Sequence, residues 1–224
     1  ASVMHPWSEH SRIAARQIAQ AKFPAEQRAE LWAEIVRAKL HGQAATLSGV
    51  KPRFGSRMER IAEDVLVGDS TNVEGMGARY YWTHLWGKSF VRNYDGRDRI
   101  NSLLNYGYGI LRGFGVQAVL AAGLVPSLGI WHSHRENAYN LVADLMEPFR
   151  PAIDDAIVHL PPYSSLSKVE TKKLLARVLQ QPFTDSGMSI ISEFSALARG
   201  YGAVVQGNRE HLEIPVWNGG EHHQ

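Results

Sequence analysis

Cysteine is absent from the 224 residues. That excludes a disulfide scaffold, a thiolate zinc site and a cysteine nucleophile, and it accords with a reducing compartment. An excess of charge of one sign is also missing: 24 basic and 22 acidic residues leave a formal net charge of +2, too little to identify a partner. The longest apolar run, around Val116–Val125, contains Gln117 and is too short to span a bilayer. The opening Ala1-Ser-Val-Met-His-Pro-Trp7 lacks a basic stretch followed by an apolar one, so nothing there reads as a signal peptide. A cytoplasmic chain with no membrane contact is the expectation. No G-x-S-x-G elbow, no P-loop lysine and no H-E-x-x-H helix is found, and there is no repeat or low-complexity tract.

What is present suits a globular helical protein. The apolar fraction is 44%, and the length suffices to bury a core. Ser8 and Glu9 open a segment carrying Ile13, Ala14 and Ile18. Pro24 suits the first turn of a long helix with Leu31, Trp32, Ile35 and Leu40 at helical spacing. Lys51-Pro-Arg-Phe-Gly55 reads as a break, and Met58, Ile61, Ala62 and Val65 mark a short amphipathic helix. Asp69 or Ser70 suits the cap of the next helix, which passes Glu74, Ala78 and Trp82 and stops at Gly87. Lys88–Asp98 is a polar loop, Arg99–Ala122 a long apolar helix and Gly123–Gly129 a turn. Further helices are expected over Asn137–Met146, Ser167–Gln181 and Met188–Val205. Pro148 and Pro151 predict a kink or a fresh start between the first two. Leu212–Trp217 reads as a short strand or extended arm, and His222-His223 has no assigned role. The fold class expected is all-α.

The candidate chemistry is concentrated in His132-Ser-His134-Arg135-Glu136 and Asp144-Leu-Met-Glu147-Pro-Phe-Arg150. Asp144 and Glu147 share one helical face among Leu141, Val142, Leu145 and Met146. Carboxylates in such surroundings must be paired, hydrogen-bonded or metal-bound. Two carboxylates and a histidine suit Mg²⁺ or Mn²⁺; a buried ion pair with Arg135 or Arg150 satisfies the same spacing. His132-x-His134 as a zinc motif is discounted. Gly107-Tyr-Gly109-Ile-Leu-Arg112-Gly113 has the wrong spacing for a dinucleotide loop, and its glycines are expected to allow close helix packing. Glu74 precedes Gly75 and Gly77, glycines that make sense in a helix if another helix or a ligand approaches closely there. Arg79, Tyr80, Tyr81 and Trp82 suit either core packing or nucleic-acid contact. Basic residues outnumber acidic ones from Arg12 to Arg60, and Lys168, Lys172, Lys173 and Arg177 form a second basic cluster. Either is a solvated helix face or a phosphate-binding stripe.

Three segments together resemble the Cas1 family of CRISPR integrases, most closely the type II form. They are Glu74-Gly-Met-Gly-Ala-Arg79-Tyr-Tyr-Trp82, then Asn101–Arg112 with Asn-Tyr-Gly-Tyr-Gly-Ile-Leu-Arg, and then Leu120–Ser133 running into Asn140–Pro151. The resemblance implies that Glu74, His132 and Glu147 are a catalytic metal-binding triad with Asp144 as a supporting carboxylate. It places basic residues that approach DNA at Arg135 and Arg150, with Arg112 as a weaker candidate beside the Arg79 already singled out from its aromatic neighbours, and gives His134 no ligand role. It implies Mg²⁺- or Mn²⁺-dependent transesterification of DNA 3′ ends into a CRISPR repeat, with Cas2 as partner and a homodimer in the full-length protein. Family members begin with a β-rich domain that nothing here resembles. Residues 1–22 are therefore expected to be a linker and first helix, and residues 23–224 the helical catalytic domain. A metal-dependent hydrolase of a small substrate and a non-catalytic helical DNA-binding module are the rival readings.

Overall fold

A computed structural model describes residues 13–184 and 187–220, so Ser8, Glu9 and His222-His223 lie outside the described residues. Among the described residues the regular structure is helical, with a single isolated antiparallel bridge between Pro182 and Ser189. The all-α expectation therefore holds. No helix described is long and apolar enough to cross a membrane.

The spine of the molecule is α2 (Ala25–Val50), preceded by the short α1 (Ile13–Ala21). Ile35, Val36, Leu40, Ala44 and Leu47 of α2 are completely buried. Pro24 sits immediately before its first turn, where a missing N–H costs nothing. The break expected at Lys51-Pro-Arg-Phe-Gly55 is a single residue. Lys51 leaves helical geometry, and Pro52 already starts α3 (Pro52–Glu63), again as a first-turn proline. α4 (Val73–Trp86) follows a short 3₁₀ turn, and α5 (Arg99–Ala121) starts behind Asp98, whose carboxylate caps Asn101.

The helix expected from Asn137 begins later, as α6 (Asn140–Leu145). The reason is local. Asn137 Oδ1 accepts from the Tyr139 N–H at 3.0 Å, closing an Asx turn that competes with helix. Pro148 and Pro151 do produce a fresh start: Glu147–Phe149 is a 3₁₀ turn, and α7 (Arg150–Val158) carries Pro151 in its first turn. α8 (Val169–Val178) and α9 (Ile190–Val205) complete the set, each shorter than its sequence expectation. The segment from Leu212 to Trp217 forms no strand. It runs as an irregular arm that buries Leu212 and Trp217, with Trp217 against Phe183.

α2 packs against α3, α4 and α7, while α5 packs against α6, α7 and α9, so α7 joins the two groups. Gly107 allows the α5–α7 approach: a Cβ there would lie 2.5 Å from Ile153 Cγ2. Gly77 does the same between α4 and α2, where a Cβ would meet Leu40 at 2.5 Å. Gly109 and Gly113, also expected to serve close packing, meet nothing within 4 Å. Their face of α5 is turned to open space rather than to a neighbouring helix.

Candidate metal centre and adjoining cationic groove

Glu74 is placed by the start of α4. Asp69, expected to cap this helix, does so from outside it: its carboxylate accepts the Val73 N–H at 2.7 Å and the Glu74 N–H at 3.0 Å. The position just before the first turn is Asn72, in left-handed geometry, which accepts from the Gly75 N–H. Two side chains thereby satisfy amides that a helix start leaves open. Glu147 comes from the 3₁₀ turn before α7. The two carboxylates converge on Lys39 of α2, whose Nζ lies 2.6 Å from Glu74 Oε1 and 2.6 Å from Glu147 Oε2. The other Glu147 oxygen accepts from Arg150 Nε at 2.8 Å.

Burial alone would lower the Lys39 pKa, but Glu147 and Glu74 outweigh it and hold the amine charged, with its pKa raised. Burial pushes the Glu147 carboxyl up, and Arg150 and Lys39 outweigh that and hold it below the usual range. Glu147 Oε2 is close to Lys39 but poorly angled. Despite the 2.6 Å separation it is a buried oxygen with no hydrogen-bond partner among the described residues. We regard the contact as an ion pair rather than a well-formed hydrogen bond.

His132 lies in the loop between α5 and α6. Its Nδ1 is hydrogen-bonded to Oδ1 of the fully buried Asp144, and that bond raises the imidazole pKa. Asp144 also accepts the Trp131 backbone N–H at 2.9 Å. The ring rests edge-on against Trp32, and Trp131 stacks on the same indole. Fixing Nδ1 in this way leaves Nε2 as the nitrogen that can act.

Glu74, His132 and Glu147 line one cavity of about 370 Å³, together with Lys39, Gln43, Trp82 and Arg150. Among the described residues no three His, Asp or Glu side chains form a ready metal cage. The two carboxylates instead share an ammonium, Lys39 Nζ. The residues nonetheless fit a divalent ion. The carboxylates already bracket a cation, one buried oxygen lacks a proper donor, and the imidazole of the same cavity is oriented by a carboxylate.

An adjoining groove of about 300 Å³ shares Arg92, Tyr94, Tyr108, Ala143 and Arg150 with this cavity. Arg92, Arg112 and Arg150 line it, with Tyr94, Tyr139 and Asn105, and no carboxylate does. Arg150 lies over the Tyr108 ring at 4.7 Å. Arg92 is held by Asn101 and Asn105 and lies 4.6 Å from the Tyr94 ring. Arg135 and His134 line a separate pocket that includes His132. Arg79 is exposed and lines neither the cavity nor the groove. Lys168, Lys172, Lys173 and Arg177 are exposed on or beside α8.

Residues 1–178 match the family model described as CRISPR associated protein Cas1. The chain belongs to the Cas1 family. A CRISPR-associated endonuclease Cas1 of Neisseria meningitidis serogroup C is 34% identical over 132 residues, which cover 58% of this chain and 43% of the relative. A CRISPR-associated endonuclease Cas1 of Pyrobaculum aerophilum is 30% identical over 177 residues, 72% of this chain and 60% of the relative. The chain thus spans about half the length of these curated relatives. A casposase bound to integration product superposes with a TM-score of 0.74 at 20% identity, covering 95% of this chain and 74% of the other. The Cas6-RT-Cas1–Cas2 complex superposes with a TM-score of 0.73 at 16% identity, covering 97% of this chain and 28% of the other. These likenesses show the fold.

Two features of this Cas1 chain escaped the sequence reading. Lys39 is one; the signal was a polar stripe, Lys39, Gln43 and Thr46, at helical spacing inside an otherwise apolar face of α2. The other is Asp154 of α7, completely buried, which accepts from the Tyr81 hydroxyl at 3.2 Å and from the Tyr108 hydroxyl. Burial raises its carboxyl to about 7, against the pull of the two tyrosine hydrogen bonds.

Proposed function

We propose that this chain carries the catalytic site of a metal-dependent DNA integrase of CRISPR adaptation, joining DNA 3′ ends to a CRISPR repeat. The observation that carries the reading is the continuity of the cavity holding Glu74, His132 and Glu147 with a groove of three guanidiniums and no carboxylate. A small-substrate hydrolase has no need of that groove. The names of the relatives support the activity, one solved likeness carries an integration product, and another is assembled with Cas2. DNA, Cas2 and a second copy of the full-length protein are the proposed partners, and the metal is Mg²⁺ or Mn²⁺.

Glu74, His132 and Glu147 would hold the ion, with Asp144 in support. The chemistry such an ion supplies when bound is polarisation of the phosphate and easier ionisation of the attacking hydroxyl. The reaction is a phosphodiester exchange. A DNA 3′-hydroxyl gives up its proton to solvent as its oxygen bonds to phosphorus, the bond from phosphorus to the departing 3′ oxygen breaks, and that oxygen takes up a proton from solvent, so no net proton is gained or lost. No protein nucleophile is required. Asp144 fixes the His132 ring so that Nε2 serves the site. Arg92, Arg112 and Arg150 meet phosphate charge along the groove and fix the strand rather than read its bases.

The ion pairs of Lys39 and Arg150 with the carboxylates favour a second reading, a DNA-binding helical module whose acidic residues are structural. One experiment separates the two. In a Mn²⁺-dependent strand-transfer assay on a branched or repeat-containing duplex, Glu147→Ala should abolish joining, a loss of at least about a thousandfold. It should also leave DNA retention in a gel-shift assay largely intact. Joining that persists in Glu147→Ala sinks the assignment of the triad.

A further inference from the structure

Lys39 has no part in the chemistry proposed above, yet it sits at the centre of the site. Its side chain is 12% exposed, and its ammonium touches one oxygen of each acidic residue at 2.6 Å. Arg150 takes the remaining Glu147 oxygen at 2.8 Å. Two carboxylates are thereby matched by two cations, and the cluster is electrically balanced as it stands. With the ammonium removed, the two carboxylates that converge on it would face each other with nothing between them to offset their repulsion. A lysine is also well suited to leave. Its charge is compact and its stem is flexible, unlike the forked Arg150, which is held against Glu147 and the Tyr108 ring. A place for it exists close by. Gln43, one turn along α2 on the same face, lines the same cavity. Its buried amide oxygen has no hydrogen-bond partner among the described residues.

We propose that Lys39 is an internal counter-cation that holds Glu74 and Glu147 together and is displaced toward Gln43 when a divalent ion enters. This rests on the metal reading of the site. A divalent ion can take its place between the carboxylates only by breaking both Lys39 ion pairs, so the affinity for metal is set by that competition.

The test is Mn²⁺ binding by calorimetry, with melting temperatures measured with and without Mn²⁺, for the wild-type chain, Lys39→Met and Glu147→Ala. Lys39→Met should bind Mn²⁺ roughly tenfold more tightly or better, equivalent to about 1.4 kcal/mol. It should melt below wild type without metal and gain more from saturating Mn²⁺. Lys39→Gln, shorter and polar, should show the same pattern and serves if the methionine variant does not fold. Mn²⁺ affinity that is unchanged or weaker in a folded Lys39 variant overturns the proposal. The metal reading still stands in that case if wild type binds Mn²⁺ and Glu147→Ala does not. Absence of Mn²⁺ binding in wild type and in both Lys39 variants overturns the two together. Binding gained only when Lys39 is replaced supports the counter-cation.

Discussion

Asp144 shows how much one buried side chain can decide. It is fully buried, and it takes hydrogen bonds from the His132 ring and from the backbone of Trp131. One residue therefore sets both the path of the loop and the orientation of the imidazole. A carboxylate behind a ligating histidine typically fixes its tautomer and raises its basicity. Asp144→Asn retains an oxygen for the backbone amides but no charge for the imidazole. It should weaken Mn²⁺ binding by roughly 10- to 100-fold, measured by calorimetry, with little change in melting temperature. An affinity equal to wild type would confine Asp144 to holding the loop.

At the scale of the element, α4 is the helix whose start matters most. Gly75 and Gly77 weaken its first turns, and Gly77 is required by the closeness of Leu40. Asp69 and Asn72 offset that weakness by accepting three amide hydrogens, one of them from Glu74 itself. The carboxylate of Asp69 also sits at the positive end of the helix dipole. Asp69→Ala should cost about 1 kcal/mol, and up to about 2, of unfolding free energy. Urea denaturation followed by circular dichroism measures it. The same variant should bind Mn²⁺ more weakly, because the first turn that carries Glu74 frays.

The whole molecule is tied together behind the site by Asp154, which joins α7 to Tyr81 of α4 and Tyr108 of α5. Its carboxyl titrates near 7 in the folded chain against the ordinary 3.8. Between those values the folded state holds a proton that the unfolded state has released, so stability falls as pH rises through the window and levels off above it. Urea midpoints measured at pH 5 and pH 8 should therefore decline for wild type, and the decline should be smaller in Asp154→Asn. A decline of equal size in the variant would show that other groups carry the pH dependence.

Much of this was legible in the chain itself. Helical periodicity placed the long helices, Pro148 and Pro151 marked a real restart, and the acidic and histidine segments pointed to residues that do line one cavity. Such signals are local: they state which face of a helix is buried, where a turn must fall and which residue types can ligate. The tertiary structure alone decided what those faces meet. Lys39 lies 35 positions before Glu74 and far before Glu147, and its meeting with both follows from how α2 packs on α4 and α7. The choice between a bare carboxylate pair and one filled by an ammonium was open at the level of sequence. Spacing along a helix fixes direction from its own axis, whereas the partner across the gap is set by packing between segments distant in sequence.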